Sequence, residues 1–355
     1  MSTGAVVAAD RLEQLVAAIF RGTGSAPEEA EEVARHLVEA DLTGHASHGV
    51  TQVEIYVRSQ RLGHLQPNRH AEIVRDDPPF LVVDGGIGFG QVIAREAIDL
   101  ASERAKAAGV SILALRYAHH IGRLGAYGER CAAAGLIAIL FANVVSIPRV
   151  APFGGARSRL GTNPICIAFP ATPRNPPVLV DFATSAIAGN KCRIAMAKGE
   201  EVAEGLLQDA DGNPTRDPGV IFSEPAGSLR PFGGHKGYGL ALACEILAGA
   251  IASGVPTLPQ NLRAGRFLNN ALAFVFDPTR IAGTQWQDLT DSVLENLRDT
   301  PPSPGSDGVL IPGEPEAQRR RVLQREGVPV DPVTMAALHR IGGELGLDVT
   351  AQLFG

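Results

Sequence analysis

The chain is poor in aromatics, cysteine and clustered basic charge. Aromatic residues make up 5% of 355 positions, with a single tryptophan. That argues against the stacking platforms that grip single-stranded nucleic acid. The formal net charge is −6, and no run of Lys or Arg forms an electrostatic footprint, so DNA or RNA is not expected as a partner. The four cysteines, Cys131, Cys166, Cys192 and Cys244, lie far apart and form no C-x-x-C. They read as free, buried thiols of a reducing cytosol. Long hydrophobic runs are missing too. The longest, "GLIAILFANVV" (135–145), falls short of the roughly 20 residues a membrane span needs. The N-terminus lacks a basic segment, and Asp10 and Glu13 interrupt its apolar residues, so no signal peptide is expected. These absences together describe a soluble cytoplasmic protein without a membrane partner.

Glycine (40) and proline (25) are plentiful, which suits tight turns and close helix packing. An apolar fraction of 45% against 20% charged is enough to build a sizeable core. The length allows one large domain or a few smaller ones.

Helical periodicity runs through 9–21. Ser25 and Glu28 have the spacing of a capping box, with Pro27 in the first turn, so a second helix should run to about Leu42. "TQVEIYVRSQRLG" resumes the helical pattern, and the opening reads as mostly helical to about residue 75. Strand signals follow at 80–86, 110–116, 136–144, 165–170, 178–183 and 271–278. Several are continuous apolar runs, as expected where both sheet faces are covered. Helices are expected at 92–108, 123–135 and 236–254, and in the tail at 284–298, 314–326 and 332–345. Alternating strand and helix implies an α/β core.

"FLVVDGGIGFGQVIAREAIDLA" (80–101) imitates the first unit of a dinucleotide fold. Its glycines, Gly85, Gly86, Gly88 and Gly90, give no G-x-G-x-x-G, because Gln91 holds the third place counted from Gly86. The next strand, ending "LALRYAHH", offers no acidic residue for a ribose hydroxyl. The bland reading is a turn packed against a neighbour.

Four stretches can carry chemistry. "GHASHG" (44–49) and "AHHIGRLGAYG" (118–128) hold four of the nine histidines. Imidazole titrates near working pH, so it can exchange a proton as C–OH and C=O interconvert. It also suits Zn²⁺, and His45, His48 and His120 offer three rings, but no carboxylate or thiolate set stands beside them. A zinc-dependent hydrolase or aldolase is the alternative from another class. Asp181, in "VDFATSA" (180–186), is either a helix N-cap or an orienting partner for a histidine. "FGGHKGYG" (232–239) sets His235 and Lys236 at a helix start, which favours an anion such as a diphosphate, although the spacing is no Walker A loop.

In this order, with "ADLTGHASHGV", "HHIGRLGAYGERCAAAG", "VAPFGGARSRLGTNPICIAFP", "LVDFATSAIAGNK", "GGHKGYGLALACEIL" and "LIPGEPE", the stretches resemble the second type of malate/L-lactate dehydrogenases. This group is unrelated to the Rossmann-fold lactate dehydrogenases. Its hydroxycarboxylate dehydrogenase branch, which also reads "HHIGR", is the most alike. The resemblance implies a family-specific, non-Rossmann three-layer NAD-binding domain at 79–283. It implies a helical domain for substrate and dimerisation formed by both chain ends, 1–78 with 284–355, and a homodimer. The implied cofactor is NAD, with NADP as the alternative. The implied partner is a small 2-hydroxy or 2-oxo acid; ureidoglycolate and a cyclic imine carboxylate are substrates of other members.

By the same resemblance His48 is the proton donor or acceptor, His120 matches the histidine given that role in the ureidoglycolate enzyme, and Asp181 lies near the nicotinamide. Ser47 matches a substrate-binding serine. Cofactor-binding segments match His48, Gly122, Arg123 and Leu124; Leu179, Val180, Asp181, Phe182 and Ala183; His235 and Lys236; Asn269; and Gly313, Glu314, Pro315 and Glu316. No metal is implied. Many members carry an arginine four residues after the motif histidine to clamp a carboxylate bidentately. Here that residue is Gln52, a neutral amide, so another cation such as Arg123 takes the carboxylate or the substrate sits differently.

Overall fold

The computed structural model describes residues 4–263 and 265–355. The first three residues of the expected 1–78 segment lie outside the described residues. A seven-stranded mixed sheet forms the centre. Its order is Glu72–Asp77, Phe80–Asp84, Val110–Ala118, Leu268–Phe276, Ile137–Val145, Ile165–Phe169 and Val178–Phe182. Only the 80–84 and 110–118 strands pair in parallel; every other neighbour is antiparallel. The helices Gly90–Ala108 and Gly125–Ala133 cover one face. The segment 235–251 covers part of the other, where Ala252 packs with Ala114 and Leu272. Covering both faces explains the unbroken apolar runs even though the pairing is mostly antiparallel.

A second core joins the two ends of the chain. Leu12, Phe20, Leu37 and Tyr56 pack there with Val328, Leu338 and Leu353. Ala5–Val7 pairs antiparallel with Val328–Val330, so the two ends share a short ladder. A smaller third cluster, including Val150, Leu207, Ile221 and Leu229, lies under the 150–241 segment. There, Leu207–Gln208, Pro214–Thr215 and Ser228–Leu229 form a small sheet around the turn-rich "DADGNPTRDP".

Several expectations need correction. The second helix, Pro27–Leu42, begins after Ala26, and no side chain caps it. Asn68 replaces the expected Ser25 cap: its Oδ1 accepts the Ala26 N–H at 2.7 Å, and its own N–H donates to Glu29 at 2.8 Å. A distant loop outcompetes the local box. Residues 72–77 are an edge strand, not the end of a helical stretch. All six are exposed, so no buried face imposed an alternating pattern. The helix expected over 236–254 is α-helical at His235–Cys244 and continues as a π-helix at Glu245–Ile251. The tail helix Gln285–Arg298 docks on the sheet side, where buried Asp291 accepts a hydrogen bond from Asn175 at 2.5 Å.

Candidate active site

The Gly-rich turn that imitates a dinucleotide motif is a packing device. A Cβ on Gly90 would fall on the backbone carbonyls of His119 and His120, and one on Gly85 would crowd Ala118. The helix therefore starts flush against the end of the 110–118 strand and fixes where His120 emerges.

His48 arrives from the other core. It ends a short 3-10 turn, Ala46–His48, directly after the Pro27–Leu42 helix. Buried Asp41 closes this turn: its carboxylate accepts the Val50 N–H at 2.8 Å and fills the space a Cβ on Gly49 would need. Burial raises the Asp41 carboxyl to about 7. The Gln52 amide donates to the Ser47 carbonyl at 2.6 Å, so it braces the turn.

The two histidines stack, with ring centroids 5.5 Å apart and planes 18° from parallel. Ser47 Oγ lies 2.9 Å from His48 Nδ1, and Tyr56 Oη lies 2.6 Å from His120 Nδ1. The protein thus engages the Nδ1 side of each ring. Burial, reinforced by the charges of His45 and Arg123, lowers His48 to about 4. Burial, together with His48 and His119, holds His120 well below the ordinary range. Both rings are neutral at pH 7.

The pair sits on the wall of a cleft of about 1000 Å³ between the sheet and the chain-end helices. Ser47, Gln52, Gly122, Arg123, Leu124, Asp181, Phe182, Ala183, Asn269, Pro315 and Glu316 line the same cleft. Leu179, Val180, Gly313 and Glu314 do not. Leu179 donates its N–H to Pro312 at 3.0 Å, and Glu314 pairs with Arg298 at 2.6 Å, so these residues brace the wall from behind. His235 and Lys236 are not brought to the cleft either. His235 packs edge-on against Phe153, centroids 6.0 Å apart, and the preceding Gly233 and Gly234 line a separate hollow.

Asp181 lies one residue inside its strand and caps another element. It accepts the N–H of Gly125, the first residue of the 125–133 helix, at 2.8 Å. Burial raises it to about 6 against the lowering pull of Arg123. Arg123 is itself buried. Its Nη2 pairs with Glu129 at 2.6 Å, its backbone N–H donates to His36 Nε2 at 3.1 Å, and its Nη1 has no partner among the described residues. Gly122 takes φ +73°, where a Cβ would strike His36. This arrangement leaves a guanidinium donor occluded inside the wall, near Asp181. A buried donor left so costs about 1–3 kcal/mol until something accepts from it.

Sequence reading missed Tyr56, Gln91, Lys191 and Arg319. Lys191 and Arg319 add cations to the cleft. Tyr56 looked like one more apolar residue of a helical run, and Gln91 appeared only as the break in a glycine pattern. Among the described residues no group of three His, Cys, Asp or Glu side chains is placed to hold a metal ion. The four cysteines are buried and free, and no helix among the described residues is long and apolar enough to cross a membrane.

Similarity to known proteins agrees with this geometry. A family model described as malate/L-lactate dehydrogenase matches residues 7–339. Hydroxycarboxylate dehydrogenase B of Escherichia coli is 41% identical over 357 residues, covering 100% of this chain and 98% of that protein. An L-lactate dehydrogenase of Cupriavidus necator is 43% identical over 323 residues, covering 90% and 92%. The solved structure of a putative malate/lactate dehydrogenase from E. coli superposes with a TM-score of 0.94 at 41% identity, covering 98% of each chain. The chain belongs to the malate/L-lactate dehydrogenase family.

Proposed function

We propose that this chain interconverts a 2-hydroxycarboxylate and a 2-oxocarboxylate with a nicotinamide dinucleotide, NAD by likeness to its relatives, with NADP as the alternative. The observation that carries the reading is the stacked His48–His120 pair on the cleft wall, in a chain that matches this family over residues 7–339. The zinc hydrolase reading has no donor set among the described residues.

The cleft fits a dinucleotide in size and chemistry. Its volume is at the upper end of small-molecule sites. Lys191 and Arg319 offer cations to an anionic cofactor, and Phe182 and Ala183 give apolar wall. Arg123, Asp181, Phe182, Ala183, Asn269, Pro315 and Glu316 would hold the cofactor. When bound, it supplies the acceptor or donor of a hydride. The protein's own part is to bind, orient and move one proton. His48, neutral with Ser47 at its Nδ1, takes the substrate hydroxyl proton at Nε2 in oxidation and returns it in reduction. Lys191, Arg319 and Arg123 are the cations lining the cleft for the substrate carboxylate, since Gln52 is occupied with Ser47.

We read 79–283 as the cofactor unit and 1–78 with 284–355 as the substrate and dimerisation unit. By its family likeness we read the protein as a homodimer.

The test is NADH and NADPH oxidation by the purified protein against a panel of 2-oxo acids, from pyruvate and oxaloacetate to phenylpyruvate. Turnover with one nucleotide is expected, and His48→Ala should lower kcat by about two to four orders of magnitude. Silence across the panel with the nucleotide bound would move the substrate to cyclic imines or ureido acids. Full activity in His48→Ala would remove the histidine from its role.

A further inference from the structure

Behind the stacked histidines runs a hydrogen-bond chain that the proposed reaction does not yet use. Gln91 Nε2 donates to Tyr56 Oη at 2.7 Å, and Tyr56 Oη lies 2.6 Å from His120 Nδ1. Gln91 and Tyr56 are 0% exposed. Burial holds the phenol far above its ordinary range, so it carries its hydrogen at every working pH. A phenol has one hydrogen to give. With the amide already donating to its oxygen, that hydrogen goes to His120 Nδ1. The ring is neutral, so its own hydrogen must then be on Nε2. Among the described residues that nitrogen has no hydrogen-bond partner, and His120 is part of the cleft wall.

We propose that Tyr56, held by Gln91, is a positioning residue that fixes His120 as a neutral Nε2–H donor and so divides the work between the stacked histidines. His120 gives a hydrogen bond to the substrate's C2 oxygen, and His48 alone exchanges the proton. The inference rests on the dehydrogenase reading for the identity of that oxygen. In oxidation a bound oxidised nicotinamide would supply the acceptor for the C2 hydride, while the hydroxyl proton passes to His48 Nε2 and the C2 carbonyl oxygen accepts from His120. In reduction each transfer reverses. His120 keeps its hydrogen throughout and needs no protonation state of its own to change. A neutral imidazole polarising a carbonyl beside a separate acid/base is established enzyme chemistry.

The chain has two polarities. The reverse, with the Gln91 amide turned over and His120 donating from Nδ1 to Tyr56, would leave Nε2 as an acceptor and make His120 a competing base. The measurement that separates them needs no turnover. Protein labelled with ¹⁵N-histidine is examined by long-range proton–nitrogen correlation between pH 6 and 9, with the His120 signals identified by their loss in His120→Gln.

The expected result is a protonated Nε2 and a bare Nδ1 for His120 across that range, without a titration step. In Tyr56→Phe the two nitrogens should drift toward averaged shifts, and kcat/KM should fall about tenfold while its pH limb, set by His48, stays in place. A proton on Nδ1 in the unaltered protein would overturn the inference, even if Tyr56→Phe fails to fold. So would Tyr56→Phe with an unchanged His120 spectrum. Absence of turnover with 2-oxo acids, cyclic imines and ureido acids alike sinks the dehydrogenase reading separately, because the spectrum reports the polarity regardless.

Discussion

Asp41 shows how one buried side chain can tie stability to pH beside a reactive residue. Its carboxyl stands at about 7 in the fold against an ordinary 3.8. Between these values the folded protein keeps a proton that the unfolded chain has lost. The stability this contributes is fully present below about pH 4 and is lost as pH rises through 7. Asp41→Asn keeps an oxygen for the Val50 N–H and has no proton to lose. Between pH 4 and 8 the stability difference should therefore move in favour of the Asn variant, by on the order of a few kcal/mol. Urea unfolding of both proteins at those two pH values checks it. A difference that stays constant would mean that Asp41 titrates normally.

At the scale of elements, Asp181 holds the 125–133 helix through the Gly125 N–H. Asp181→Ala removes that acceptor and should cost about 1 kcal/mol, whereas Asp181→Asn retains it and should cost less. Equal losses in the two variants, read by denaturant midpoint, would assign the effect to packing or to Arg123 instead. Asp181 also marks how far the sequence could be read. Its capping role was one of two readings, but the helix it caps lies 56 positions away, and no local pattern points there. The same holds for Asn68 displacing Ser25. Long amphipathic helices and apolar strands were legible because burial writes a period into them. The 72–77 strand was not, because nothing on it is buried. The histidine motifs were legible as chemistry. Which nitrogen of each ring faces the cleft was not, because Tyr56 is 64 positions from His120 and Gln91 reaches it only through the fold.

At the scale of the molecule, the cleft belongs to neither core alone. His48 comes from the chain-end core, and His120, Arg123 and Asp181 come from the sheet side. An ion network joins the two behind the wall. Arg320 pairs with Glu39 at 2.9 Å and with Glu129 at 3.2 Å, and Glu129 holds Arg123 at 2.6 Å. The two Arg320 pairs are partly exposed, so they register the halves rather than weld them. A ligand that binds only when both walls are in place must then stabilise both. At a nucleotide concentration one hundred times its Kd, linkage gives about 2.7 kcal/mol, enough to raise the melting temperature by a few degrees. Calorimetry with and without NADH measures it. If the two cores melt in separate steps, the nucleotide should raise the first and draw the transitions together. A ligand that raises one step and leaves the other in place would bind to one core alone, and the cleft would then not be the dinucleotide site.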